Sequence, residues 1–224
     1  MTPTAGLAPR SESAAEIEWL WQVMLVLGTI SFLTFTVPLV IGLFKDRAAD
    51  GEDPPPPSDS PVGRLWLIGG GVVLPVVMIG VTLVFTLVVM DRLDTTPEDA
   101  LVIEVTGNQW WWEIRYPDDG IVLESEMRIP VGRPVELHLT SSDVIHSFWV
   151  PALGGKLDAL PDGVNTLVIE ATEPGEYRGQ CAEFCGLAHA TMKIMVIAMP
   201  VSEYEAWLSG ARQASAQPAA GGVR

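Results

Sequence analysis

Two stretches of the chain, residues 19–44 and 65–90, contain no charged side chain over 26 positions each. As a helix, either would extend about 39 Å at ~1.5 Å per residue, enough to cross a hydrocarbon layer of about 30 Å with some tilt. Pro38 and Pro75 interrupt them, which membrane helices tolerate when neighbouring groups satisfy the freed backbone. Core helices of soluble proteins rarely run so long without charge on any face, so the pattern predicts a two-helix transmembrane hairpin over 18–92. The first run is too long for a signal peptide, and Glu12, Glu16 and Glu18 precede it where a basic region would be expected. The mature chain is therefore expected to start near Met1.

The period changes after Leu101. Residues 101–106 alternate, 109–116 are rich in tryptophan, and 126–130, 134–140, 165–171 and 191–199 read as further short β segments. In 134–140, Val135, Leu137 and Leu139 fall on one face, with Glu136 and His138 on the other. Turn signals separate the segments at spacings typical of a sandwich or barrel. The expected organisation is a loose tail at 1–17, the hairpin at 18–92, an exported all-β domain at 93–208 and a disordered tail at 209–224. A short helix started by Ser202 would close the β domain. The loop between the runs holds four consecutive prolines, Pro54 to Pro57.

Charge sets orientation and excludes partners. Lys45, Arg47 and Arg64 lie between the two runs, against only Arg10 before them. The loop should be cytoplasmic, with both termini and the β domain on the outer side of a bacterial plasma membrane. The formal charge is −15, and from Asp91 onward 20 Asp/Glu face 9 Lys/Arg. Such acidity argues against nucleic acid as a partner and suits a basic protein, chiefly by speeding its encounter.

Candidate chemistry is concentrated in C-A-E-F-C-G-L-A-H-A-T-M, from Cys181 to Met192, which holds both cysteines of the chain. At this composition a C-x3-C-x3-H-x2-M pattern arises by chance on the order of 10⁻⁵ times per chain, so coincidence is a poor explanation. A disulfide would need neither His189 nor Met192, and zinc has little use for a thioether. Thiolate, imidazole and thioether together suit copper. A second histidine must come from elsewhere. His138 reads as a solvated surface residue. His146, in D-V-I-H-S-F-W-V-P just past a strand end, can be presented by a loop and is the better choice. Two cysteines, in place of the single one of a blue-copper site, point to two metals sharing bridging thiolates.

These residues, with the hairpin and the β domain, resemble subunit II of the haem–copper cytochrome c oxidases over roughly residues 15–208. The motifs that carry the resemblance are G-N-Q-W-W-W (107–112), S-S-D-V-I-H-S-F-W-V-P (141–151), K-L-D-A-L-P (156–161) and the cysteine segment. The resemblance implies a cupredoxin-like Greek-key barrel on a two-helix anchor. It also implies a binuclear copper centre, CuA, bridged by Cys181 and Cys185. His146 and His189 would bind one copper each, with Met192 and the backbone carbonyl of Glu183 as weak axial ligands. The Glu183 side chain would reach a magnesium ion shared with subunit I. Trp110 matches the aromatic residue through which electrons from cytochrome c enter, and Asp143 and Asp158 match acidic positions near the docking surface. The implied partners are subunit I, other oxidase subunits, cytochrome c and membrane lipid.

Three departures bear on these expectations. Gly63 stands where many members carry a glutamate implicated in proton uptake. The turn after Lys156 reads P-D-G, without the common arginine. No C-x-x-C-H follows the β region, so a separate electron donor is expected. Two rival readings fit less well: a copper chaperone of thioredoxin fold would show α/β periodicity and one anchor, and a quinol-oxidase subunit II lacks the copper ligands.

Overall fold

The computed structural model describes residues 8–44, 60–93, 97 and 99–216. The chain divides into a helical unit, Glu18–Asp94, and a β unit built from Thr95 onward that also takes in the N-terminal residues up to Ile17.

In the helical unit, α1 (Glu12–Phe44) is followed by α2 (Pro61–Leu65), a π-helical stretch Trp66–Val73 and α3 (Leu74–Leu93). Ser60 caps α2 by accepting from the Gly63 amide at 2.9 Å, and Pro61 opens it at a position where no amide donor is needed. The widened stretch ends just before Pro75, which cannot donate to the Gly71 carbonyl; π turns shift such pairings by one residue. Within the unit, Trp19 meets Phe85 edge-on at 5.0 Å. A Cβ at Gly70 would lie 3.3 Å from the Phe35 ring, so the bare backbone gives that ring its seat. Two helices, Glu12–Phe44 and Pro61–Arg92, are long and apolar enough to cross a membrane. Their large apolar side chains stand exposed, Phe32 at 65% and Ile79 at 67%, a surface that suits lipid rather than water. The loop positions Lys45 and Arg47 lie outside the described residues.

Among the described residues, the β unit has ten strands in two five-stranded sheets. The first contains, in spatial order, β3 (Ile121–Glu124), β2 (Trp111–Tyr116), β1 (Leu101–Asn108), β5 (Val135–Ser141) and β8 (Asn165–Ile169). The second contains β4 (Glu126–Pro130), β10 (Lys193–Met199), β9 (Gly175–Cys181), β6 (His146–Trp149) and β7 (Leu157–Ala159). β1 with β5 and β4 with β10 are parallel; the other pairs are antiparallel. Alternation works as expected on β1 and β5, where Ile103, Val105, Leu137 and Leu139 are fully buried. They join Trp112, Ile114, Met127, Ile129, Phe148 and Val196 in one core. His138 points outward and bonds Glu136 at 2.6 Å.

Strands β3, β6, β7 and β9 were not expected. β9 shows why: its inward positions are Tyr177, Gly179 and Cys181, too few apolar side chains to register as a period. Gly179 is bare because a Cβ there would lie 2.5 Å from both Ile194 Cγ2 and the Trp149 carbonyl oxygen.

Residues 8–17 and 209–216 are more ordered than their composition suggests; the rest of the two expected tails, 1–7 and 217–224, lies outside the described residues. In place of a loose tail to residue 17, the Arg10 amide donates to Ala152 O at 2.8 Å and Thr172 N donates to Arg10 O at 2.9 Å. Arg10 also pairs with Glu173. Ser11 caps α1 by accepting from Ala14 N at 2.9 Å while its hydroxyl donates to Leu153 O at 2.8 Å. At the other end, α4 runs Val201–Ala216, past the expected stop at 208. Tyr204, Trp207, Leu208 and Ala211 form the stripe that binds it to the strands. Trp207 packs 5.4 Å from Tyr116 and lies under the Arg128 guanidinium at 5.3 Å, and Arg212 pairs with Asp119.

Ser11→Ala removes a helix cap and the donor to Leu153 together. It should lower the unfolding free energy of the β unit by about 1–2 kcal/mol, read by urea denaturation followed through tryptophan fluorescence. Ser209→Ala, on the exposed side of α4, should leave that value unchanged.

Candidate metal centre

The cysteine segment begins as β9 ends and finishes as β10 starts. Cys181 N donates to Met192 O at 3.0 Å, so the hydrogen bonding of the antiparallel pair closes the base of the loop. Gly186, at φ +119, turns the chain back, and a 3-10 turn at His189–Thr191 returns it to Met192. Ala182 N donates to Ser147 O at 2.9 Å and ties this loop to β6.

His146 is the first residue of β6 and fully buried, where the sequence placed it in a loop past a strand end. Its Nδ1 lies 3.8 Å from Cys181 Sγ. The two sulfurs are 3.8 Å apart, and both cysteines are free thiols, far beyond a disulfide bond of about 2.05 Å. Cys185 Sγ is 3.6 Å from His189 Nδ1 and 3.8 Å from Met192 Sδ, and Cys181 Sγ is 3.2 Å from Glu183 O. Donors about 2.0–2.3 Å from a metal in tetrahedral geometry sit roughly 3.5–3.8 Å from one another, so the spacing fits thiolate and imidazole ligation. His146, Cys181, Cys185 and Met192 form a candidate metal site, with His189 beside it.

Three features hold His146. A Cβ at Gly107 would lie 2.7 Å from its Cδ2, so the ring occupies space that any side chain at position 107 would take. Trp112 meets the ring edge-on at 5.8 Å. Asp143 Oδ1 lies 2.8 Å from His146 Nε2, opposite the nitrogen that faces the sulfur. Burial pushes the Asp143 carboxyl up, but hydrogen bonds from His146, Gln109 N and Val144 N outweigh it and hold its pKa below the usual value. Asp143, expected near a docking surface, is thus engaged with the site. Asp158, paired opposite Ser147 on the exposed side of β7, is not. Burial, and then the neighbouring Cys181, push the Cys185 thiol up to about 11. A bound cation would reverse that preference.

Trp110 lies in the two-residue turn between β1 and β2 and is partly exposed, while Trp112 is fully buried in the core. The Trp110 indole N–H donates to Cys185 O at 3.2 Å. Glu183 is exposed, and its carboxylate accepts from Phe184 N at 3.2 Å. Among the described residues it joins no cluster of three or more metal-ligating side chains. Sequence reasoning passed over Gly107, Gln109 and Gly186. The first had a signal: a glycine at an inward position of a regular strand marks close approach by another group.

The family model for the periplasmic domain of cytochrome c oxidase subunit II matches residues 120–199. Cytochrome c oxidase subunit 2 of Alkalihalophilus pseudofirmus is 36% identical over 206 residues, covering 87% of this chain and 59% of that protein. The subunit 2 of Cereibacter sphaeroides is 31% identical, covering 90% of this chain and 78% of that protein. The chain therefore spans well under two thirds of some relatives, including 39% of the Bacillus subtilis protein. Among solved structures, the periplasmic domain of subunit II of the cytochrome oxidase of Bradyrhizobium japonicum aligns over its whole length and 55% of this chain. The identity is 33% and the TM-score 0.52. The β unit accordingly has the cupredoxin-like fold of that domain, preceded by two apolar helices. With soft ligands converging in the segment the family model spans, and with relatives matching along nearly the whole chain, the protein belongs to the cytochrome c oxidase subunit II family.

Proposed function

We propose that the chain is the electron-accepting subunit of a haem–copper cytochrome c oxidase, and that its metal site holds the binuclear copper centre CuA. The observation that carries this reading is the convergence of His146, Cys181, Cys185, His189 and Met192 at 3.6–3.8 Å between neighbouring donor atoms. When bound, a copper pair supplies one-electron chemistry with the charge change spread over two ions. Cys181, Cys185, His146, His189 and Met192, with the Glu183 carbonyl, would hold it, both imidazoles through the Nδ1 that faces sulfur.

The remaining chemistry belongs to the protein. Asp143 accepts from His146 Nε2–H, which fixes the tautomer and leaves Nδ1 with its lone pair toward the sulfurs. Burial of Cys181, Cys185 and Met192 keeps water from the ligands. Trp110, partly exposed and bonded to the Cys185 carbonyl, is where electrons from a basic cytochrome c would arrive. Acidic groups such as Asp143 and Asp158 would favour its encounter. Electrons would leave toward haem in subunit I, which would reduce O2 and pump protons. A magnesium ion at Glu183 would draw its other ligands from that subunit. The lysine and arginine bias of the inter-helix loop supports a two-pass topology in a bacterial plasma membrane, with both termini and the metal site outside.

The full chain in detergent, loaded with copper, should give an electron paramagnetic resonance spectrum in which one unpaired electron is shared by two copper nuclei. A single-copper signal would refute the reading. Cys185→Ser should abolish the shared spectrum, whereas Met192→Leu should retain it and shift the potential. Asp143→Ala should weaken copper retention about 10–100-fold, measured by competition with a chelator. Trp110→Phe should slow reduction by cytochrome c in stopped-flow mixing while leaving the copper spectrum intact; an unchanged rate would remove Trp110 from the path.

A further inference from the structure

The two ligand-bearing segments are distant in sequence, and the turn between β1 and β2 touches both. Gln109 makes two hydrogen bonds there. Its backbone N–H donates to Asp143 Oδ2 at 2.7 Å, and Asp143 in turn bonds His146. Its side-chain amide donates to Cys185 O at 2.7 Å. The same carbonyl accepts from Trp110 Nε1 at 3.2 Å, so two donors converge on one ligand's backbone. Gly186 permits this approach: it adopts φ +119, and a Cβ there would lie 3.1 Å from Gln109 Nε2 and 3.3 Å from Trp110 Cζ2. The side chain of Gln109 is exposed and fills no gap in the core, so its contribution rests in these contacts.

We propose that Gln109 is a positioning residue that ties the His146 segment to the Cys185 segment and holds the two halves of the ligand set at a fixed separation. The tie acts on the backbone of a ligand, so it touches neither metal nor donor atom. Its consequence for the loaded site rests on the copper reading above. Amide dipoles directed at the Cys185 carbonyl place positive potential beside the thiolates and favour the electron-rich state.

The test uses the full chain in detergent with Gln109→Met, which keeps the length and removes the donor, and Gln109→Glu, which sets a carboxylate against the carbonyl. In the metal-free protein, amide hydrogen exchange over residues 182–189 should speed up about fivefold in Gln109→Met, the loss expected for one neutral hydrogen bond. It should speed up further in Gln109→Glu, with exchange between β4 and β10 unchanged in both. Loaded with copper, Gln109→Met should keep the two-copper spectrum, fall in reduction potential and lose metal to a chelator about fivefold faster. Unchanged exchange over 182–189 in both variants would overturn the tie. A wild-type chain that took up no copper pair would instead sink the copper reading, and the exchange experiment would still decide the tie.

Discussion

The structure turns on getting the imidazole of His146 within reach of two sulfurs carried by a different segment. His146 opens β6, which pairs with β9, and β9 ends in Cys181. Register in the second sheet therefore brings histidine and cysteine together before any side-chain choice is made. What remains is steric and electrostatic. Position 107 must be bare because the ring stands where a Cβ would be. Asp143 must meet the far nitrogen so that the near one faces sulfur with a lone pair.

Such a site carries a cost in the metal-free chain. Burial first, and then the neighbouring Cys181 thiol 3.8 Å away, push the Cys185 thiol up to about 11. Metal binding must then displace protons, so the affinity of the site is coupled to pH and to the integrity of the fold. The surroundings oppose drift in the meantime. Trp112 and Phe148 form an edge-to-face pair beneath the histidine, and the loop base is closed by the Cys181–Met192 backbone bond.

The ends of the chain serve the same domain from outside the barrel. The segment around Arg10 and Ser11 is stitched to the β unit by backbone and cap hydrogen bonds, and α4 is anchored on the strands through Trp207 and Tyr116. A handful of specific contacts, rather than a long apolar run, holds residues 8–17 and the part of α4 beyond Leu208, so composition gives no sign of their order. Capping and single aromatic anchors leave little periodic trace.

The two long apolar helices, the alternation of β1 and β5 and the soft-ligand segment were legible from residues alone, since each rests on local spacing and side-chain chemistry. The choice of His146 over His138 was also within reach, because alternation along β5 sends His138 to the polar face. Strands such as β9, whose inward side chains are few and small, and the roles of Gly107, Gln109 and Asp143 were not. Those depend on which atoms of distant segments come within hydrogen-bonding or van der Waals distance, and a one-dimensional pattern does not encode such distances. The amino-acid order determined which groups could bind a soft metal. Only the packing of one sheet register against a two-residue turn decided how they are held.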